Sequence, residues 1–323
     1  MKKFDYEDIN LIPRKCIVQS RSECDTKVKM GKFTFNIPVV PANMECVIND
    51  ELAIELAKKG FFYIHHRFSN DNWVEDRISF VKKVKELGLF SSVSVGVNQD
   101  SYEFIDRCLS DSIELDYVTI DVAHGHSDKV KSMIEYIKSK SPETFVIAGN
   151  VSTRKAVDDL TDWGADACKI GIGNGQVCTT WHSTGFGSRN CQASTIYECA
   201  KNKEVFIIAD GGIRHPADIT KSIVLGADMV MVGGMLTGFN DSPGKVVVVA
   251  DHQGYGKQYK EYWGSASQFQ SGKNSRIEGK KTLVDFKGGS IFDELKHIEE
   301  SLQSSISYGG GNKLKHLRNV KFH

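Results

Sequence analysis

The stretch Ala167-Cys168-Lys169-Ile170-Gly171-Ile172-Gly173-Asn174-Gly175-Gln176-Val177-Cys178-Thr179-Thr180 decides how the chain folds. Residues 167–170 form an apolar, strand-like run. The glycines at 171, 173 and 175 then let the backbone turn sharply and approach an ion or ligand. Cys178 closes the turn with two hydroxyl residues beside it. Oriented N–H groups in such a turn favour a thiolate. A free cysteine is also commonly an inert core residue, so a half-buried structural thiol is the competing reading. A position beyond a strand end favours chemistry, because catalytic residues of α/β barrels gather there.

The pattern repeats outward from that stretch. Strand-like runs occupy 36–44, 61–66, 91–97, 117–123, 144–150, 167–171, 205–210 and 229–234. Helical spacing falls between them at 50–60, 73–88, 102–109, 127–140, 153–163, 191–201 and 217–225, with a last amphipathic helix at 293–304. Asp50 is the expected N-cap of the first helix and Gly60 its stop. The strands read as near-continuous apolar runs, as parallel strands buried on both faces do. Eight such units with short connections predict an α/β TIM (β/α)8 barrel. A doubly wound open sheet is the competing architecture. The expected organisation is one catalytic domain over 1–323, with an irregular N-terminal arm at 1–34, a short hairpin around 24–33, and a long polar flap at about 239–289 after strand eight.

Composition excludes several classes. The 323 residues carry 41 basic and 41 acidic side chains and no long basic run, which argues against a nucleic-acid partner. No apolar stretch approaches membrane length. The N-terminus turns acidic at once and lacks a secretory apolar core, so a cytoplasmic protein is expected. The eight cysteines are scattered without CxxC pairs, which favours reduced thiols over zinc or a disulfide framework.

All barrel strands end at one face, and the residues there are site candidates. They are Asn43, His65, His66, Asp121 with Ala123, Gly149 with Asn150, the Cys178 loop, Asp210-Gly211-Gly212, and Gly233-Gly234. The two glycine pairs follow strands seven and eight, where barrels commonly hold a phosphate. Asp210 suits a ribose diol, or else caps the next helix. His124 and His126 lack the carboxylate cluster that a metal reading needs.

These residues carry a resemblance. Phe4-Asp5-Tyr6-Glu7-Asp8, Ser20-Arg21-Ser22-Glu23, Val40-Pro41-Ala42-Asn43-Met44, Ile120-Asp121-Val122-Ala123-His124-Gly125, Ala148-Gly149-Asn150-Val151, Val177-Cys178-Thr179-Thr180, Ala209-Asp210-Gly211-Gly212-Ile213-Arg214, Tyr262-Trp263-Gly264-Ser265-Ala266-Ser267 and Glu278-Gly279-Lys280 occur in that order. The chain resembles the bacterial-type GMP reductases of the IMP dehydrogenase/GMP reductase family over essentially its whole length. IMP dehydrogenases usually carry a regulatory insert after the second strand, for which 61–97 leaves no room. The arginine–tyrosine pair of their flap is not identifiable in 240–289.

The resemblance implies NADPH-dependent reductive deamination of GMP to IMP and ammonia, with Cys178 forming a thioimidate at purine C2 and Thr180 with Glu278 as the proton-transfer pair. It places the phosphate on Gly211, Gly212, Gly233 and Gly234, the ribose on Asp210, and the base near Gly264, Ser265, Ala266, Ser267, Gly279 and Lys280. Asp121, Val122, Ala123, Gly149 and Asn150 then line the nicotinamide side. Ile207, Ile208, Ala209, Ile213 and Arg214 fall in a stretch assigned to NADP in these reductases. His66 stands where some relatives have a cofactor-touching lysine; otherwise it is a packed structural histidine. Ser20 and Arg21, with the tail 304–309, are expected to reach the cofactor of a neighbouring subunit in a homotetramer. Carbonyls of Gly173, Gly175 and Cys178 are a candidate K+ site, or the turn is self-sufficient. The family commonly has Pro at 174 and a basic or small polar residue at 181, where this chain has Asn174 and Trp181. The competing functions are NAD-dependent IMP dehydrogenation and a non-catalytic purine-nucleotide-binding barrel.

Overall fold

The computed structural model describes residues 3–68, 72–201, 204–250, 255–272 and 274–323. In chain order the elements are β1 (Val28–Met30), β2 (Phe33–Phe35), β3 (Val39–Pro41), α1 (Asp50–Lys58), α2 (Trp73–Glu86), β4 (Ser92–Val95), α3 (Gln99–Ser110), β5 (Tyr117–Asp121), α4 (Asp128–Lys140), β6 (Phe145–Val151), α5 (Arg154–Asp162) and β7 (Ala167–Ile170). There follow α6 (Thr180–Thr184), α7 (Gln192–Cys199), β8 (Phe206–Asp210), α8 (Pro216–Leu225), β9 (Met229–Val232), β10 (Val246–Ala250), β11 (Gly256–Trp263), α9 (Gln268–Ser271), β12 (Lys281–Asp285) and α10 (Ile291–Tyr308).

Seven strands pair in parallel in the order β3-β9-β8-β7-β6-β5-β4. Every residue of β4, β7 and β9 is buried; β9 (Met229–Val232) is apolar throughout, whereas β4 alternates serine with valine and β7 carries Lys169. The helices cover the outside through stripes spaced three and four apart, such as Val130, Met133, Ile134 and Ile137 of α4. This is the TIM-barrel-like α/β arrangement.

The eighth barrel position differs from the expected strand at 61–66. That segment joins β4 through a single bridge, His65 to Val93, with His65 N–H donating to Ser92 O (3.0 Å) and Ser94 N–H to His65 O (2.8 Å). Its start is committed elsewhere: Phe61 N–H closes α1 on Leu56 O, and Gly60 O accepts from Asn36 N–H. The α1 cap is also one residue earlier than expected. Asn49 accepts from Leu52 N–H, and Asp50 is the first helical residue.

Within the expected flap lies a three-stranded antiparallel sheet, β10-β11-β12. The expected flap residues 251–254 and 273, and the first two residues of the arm, lie outside the described residues. The hairpin β1–β2 plugs the N-terminal end of the barrel. Phe35 packs on Phe62 (4.9 Å between centroids) and Phe90 (5.2 Å), and Tyr117 Oη donates to Met30 O (2.6 Å).

Phe35 is 1% exposed. Phe35→Ala is expected to cost about 3–5 kcal/mol of unfolding free energy, the range for emptying a large aromatic site. Urea titration checks it, and a loss below about 1 kcal/mol would show that the hairpin does not seal the barrel.

Candidate active site

The Cys178 turn leaves β7 at Gly171, whose φ of +141° and close approach to Asp210 O exclude any side chain. It ends in the short helix α6, so Cys178 and Thr180 sit at the barrel mouth. The flap reaches the same place by backbone pairing. Thr179 N–H donates to Glu278 O (2.8 Å) and Lys280 N–H to Val177 O (2.9 Å), with Glu278 N–H bound to Ala266 O (3.1 Å). The segments 177–179, 264–267 and 278–280 are interleaved. A Cβ on Gly279 would stand 2.8 Å from Ser267 N, and one on Gly264 2.9 Å from Val177 O.

This pairing aligns three side chains. The Cys178 thiol donates to Thr180 Oγ1 (3.3 Å), and Thr180 Oγ1 donates to Glu278 Oε2 (2.6 Å). Both donors point one way, from sulfur to carboxylate. Cys178 is half-buried and Thr180 is buried. A thiol, a hydroxyl and a carboxylate are thus joined in one hydrogen-bonded chain. Elsewhere burial pushes the Cys46, Cys108, Cys168 and Cys199 thiols up to about 12. All eight cysteines are free.

Behind the turn lies a charged group that the sequence reading passed over. Lys169, 3% exposed, reaches from β7 to Asp210 Oδ2 at the end of β8 (2.7 Å) and Asp121 Oδ1 at the end of β5 (3.4 Å). Burial pulls its pKa down, but the two carboxylates outweigh that and hold it above the ordinary lysine value. Its signal in the sequence is a single charge inside a buried parallel strand, which must be paired. Asn150 Nδ2 donates to Asp210 Oδ2 (2.8 Å) and Gly171 O (2.6 Å), while its Oδ1 is buried without a partner. Gly149 lies against Lys169, 2.7 Å from its Cβ if it carried one itself.

Asp210 caps no helix; His215 and Asp218 form the capping box of α8. Gly211 and Gly212 have φ of +93° and +82°, a backbone open to glycine and aimed out of the strand. Gly233 lies against the Tyr262 hydroxyl, which a Cβ there would strike, and Gly234 faces the movable end of the Gln176 side chain. Val122 and Asp121 are half-buried at the mouth and Ala123 is exposed. Ser267 is buried, Ser265 half-buried, and Ala266 and Lys280 are exposed.

Other sequence candidates lie apart. The side chains of Ile207, Ile208 and Ala209 are wholly inside the core, so the structure does not present them to a cofactor. Ile213 packs against the core, and Arg214 pairs with Glu7 Oε1 (2.7 Å). His66 is buried, its Nδ1 accepts from Phe68 N–H (3.1 Å), and burial holds its pKa well below the usual histidine value. That geometry fits the packed reading. His126 pairs with Asp159 (2.8 Å). Arg21 does meet the tail: Nη1 donates to Ser304 Oγ (3.3 Å) and the guanidinium lies 5.5 Å from the Tyr308 ring centroid. Ser20 caps the short turn that presents it.

The Gly175 carbonyl already accepts from Cys178 N–H (3.0 Å). Asn174 Nδ2 donates to Ser188 Oγ (2.8 Å) and Gln192 Oε1 (2.5 Å), tying the turn to α7 by side-chain bonds. Trp181 is partly exposed on α6, with the Arg189 guanidinium 4.9 Å from its ring centroid.

Comparison with known proteins places this geometry. The IMP dehydrogenase / GMP reductase domain matches residues 3–323. The chain is 53% identical to the GMP reductase of Bacillus subtilis (strain 168), over 99% of this chain and 95% of that protein. It is 52% identical to the GMP reductase of Bacillus licheniformis over the same shares, and 51% identical to that of Clostridium acetobutylicum over 99% and 94%. By both the domain match and these identities, the chain belongs to the IMP dehydrogenase / GMP reductase family.

Proposed function

We propose that the chain is an oxidoreductase that deaminates GMP reductively to IMP and ammonia at the expense of NADPH. The hydrogen-bond chain from Cys178 through Thr180 to Glu278 carries this reading, since covalent capture at purine C2 needs a nucleophile and a proton path together.

The Cys178 proton passes through Thr180 to Glu278, and the sulfur adds to C2. Glu278 then returns a proton to the 2-amino group, which departs as ammonia and leaves a thioimidate. NADPH supplies the hydride that C2 accepts, and the thiolate leaves as IMP forms. Asp210 takes the ribose hydroxyls, and the outward amides at Gly211, Gly212, Gly233 and Gly234 take the phosphate. Segments 264–267 and 279–280 close over the base. Asp121, Val122, Ala123, Gly149 and Asn150 face the nicotinamide; the unpartnered Asn150 Oδ1 fits a carboxamide N–H. The 173–178 turn offers backbone carbonyls together with the buried, unpartnered Asn174 Oδ1. These suit a monovalent cation such as K+ on the carbonyls of Gly173, Gly175 and Cys178. Ser20 and Arg21, on the outside with Ser304 and Tyr308, serve a neighbour's cofactor in a homotetramer.

Mixing the protein with GMP and NADPH is expected to consume the reduced nicotinamide and release one ammonia per turnover. Xanthosine monophosphate formed from IMP and NAD, with no consumption in the first assay, would reverse the assignment to dehydrogenation.

Cys178→Ala is expected to lower kcat by about 10³ or more with GMP still bound within severalfold. Glu278→Gln is expected to cost about 10²–10⁴ in kcat, with little change in GMP affinity by calorimetry. Equal loss of binding in both variants would assign these residues to structure instead.

Iodoacetamide at neutral pH is expected to label Cys16 and Cys178 ahead of Cys46, Cys108, Cys168 and Cys199. Cys16 is exposed, and its hydrogen bond to Ser307 lowers its pKa. Saturating GMP should then shield Cys178 alone. Peptide mass spectrometry reads the pattern, and unshielded labelling at Cys178 would remove the purine from that sulfur.

A further inference from the structure

We propose that Lys169 is a positioning residue for this site: it is the shared counter-ion that balances the Asp121 and Asp210 carboxylates and fixes the two side by side at the mouth. The inference rests on the reductase reading for its ligands, but its electrostatics stand on the geometry alone.

Lys169 projects from the middle of β7 into the barrel, between the ends of β5 and β8. An enclosed ammonium without partners would lose its proton. This one has two carboxylates, at 2.7 and 3.4 Å, and neither is spent on it. Asp210 meets Lys169 and Asn150 through Oδ2, which among the described residues leaves Oδ1 for a ligand hydroxyl. The carboxylates keep 17% and 19% of their side-chain surface, enough to face a ligand while anchored behind.

The other charged and titratable groups around the cluster are few. Arg67 Nε lies 3.8 Å from Asp121 Oδ2 and donates to the Asp121 carbonyl (3.1 Å). Tyr262 of β11 is buried, which with the Asp210 charge pushes its phenol far up and keeps it neutral. Arg67 serves Asp121 only, so Lys169 is the cation of Asp210 among the described residues. Gly149 lets β6 pass close to the base of Lys169, since a side chain there would collide with the Lys169 Cβ.

Removing the cation leaves two carboxylates sharing an enclosed space, which raises their pKa values. A carboxylate with a raised pKa is charged only above it. Lys169→Met is therefore expected to give a kcat/KM for GMP that rises with pH between about 6 and 9, along a limb the wild type lacks. The KM for GMP should be about tenfold higher at pH 7, one unit of pKa being tenfold, and should approach the wild type at pH 9. Lys169→Arg, which keeps the charge, should remove the rising limb. Asp121→Asn with Lys169→Met removes the repulsion and should recover GMP affinity while hydride transfer stays slow.

A ligand-free measurement runs alongside. The folded Lys169→Met protein binds more protons than its unfolded chain, so its stability falls with rising pH. Its Tm deficit against the wild type should widen from pH 6 to pH 9. A constant deficit, a pH profile parallel to the wild type, or a double variant no better than Lys169→Met in GMP affinity would each overturn the inference. A wild type that binds GMP without turnover would sink the reductase reading alone, and the Tm series and binding profile would still decide this one.

Discussion

Two backbone hydrogen bonds, Thr179 N–H to Glu278 O and Lys280 N–H to Val177 O, bring together parts of the chain about a hundred residues apart. The turn after β7 and the start of α6 supply the sulfur and the hydroxyl of the hydrogen-bonded line; the carboxylate comes from the flap. Because the join is made by main chain, it fixes the position of residue 278 before its side chain makes any contact. It also sets the terms for neighbouring residues. Gly264 and Gly279 are needed there for close approach, and a Cβ at either would push the three interleaved segments apart.

That join is modest in energy. Each bond contributes about 1 kcal/mol net, and the Thr180–Glu278 bond adds a comparable amount. Beyond the join, the flap exposes much of its surface, including Val248 (64%) on the edge strand β10. Its firm attachment is at the base of β11. There Tyr262 and Trp263 are buried, and the Lys260 ammonium reaches the carbonyl oxygens of Ser242 and Asn240. This buried base adjoins the join, since Trp263 pairs with Lys281 and Gly264 N–H donates to Lys280 O, so both hold the sheet at one end.

The barrel was legible because burial on both strand faces writes itself as apolar runs, as in Met229–Val232 of β9; β4 and β7 are just as buried but carry Ser92, Ser94 and Lys169. The same signal misled at 61–66: apolarity reports burial, and that segment is buried yet pairs at one residue. Asn49 and Asp50 are both competent caps, and only the backbone decides between them. Glu278 gave no local signal, since its placement is made by main-chain bonds to a distant turn; the family resemblance alone pointed to it. The segment 207–209 was ambiguous for the opposite reason, because a buried strand and a ligand-lining strand share one composition. Lys169 was hidden by the apolar run around it, although a charge in such a run is where a buried ion cluster leaves its mark.

The arrangement of charge at the mouth explains why different parts of a nucleotide would be held by different means. Asp121 and Asp210 are balanced by Lys169 and Arg67, so the inner cluster is formally neutral. A phosphate held by a further fixed cation beside Asp210 would put that cation in competition with Lys169 for the carboxylate. Glycine amides avoid the conflict, because dipoles attract an anion without drawing a neighbouring carboxylate away from its partner. The cation nearest in sequence to Gly211 and Gly212, Arg214, is turned outward onto Glu7 of the N-terminal arm. The arm thus holds the cation of the 211–214 loop on the outer surface, away from the paired charges of Lys169, Asp121 and Asp210.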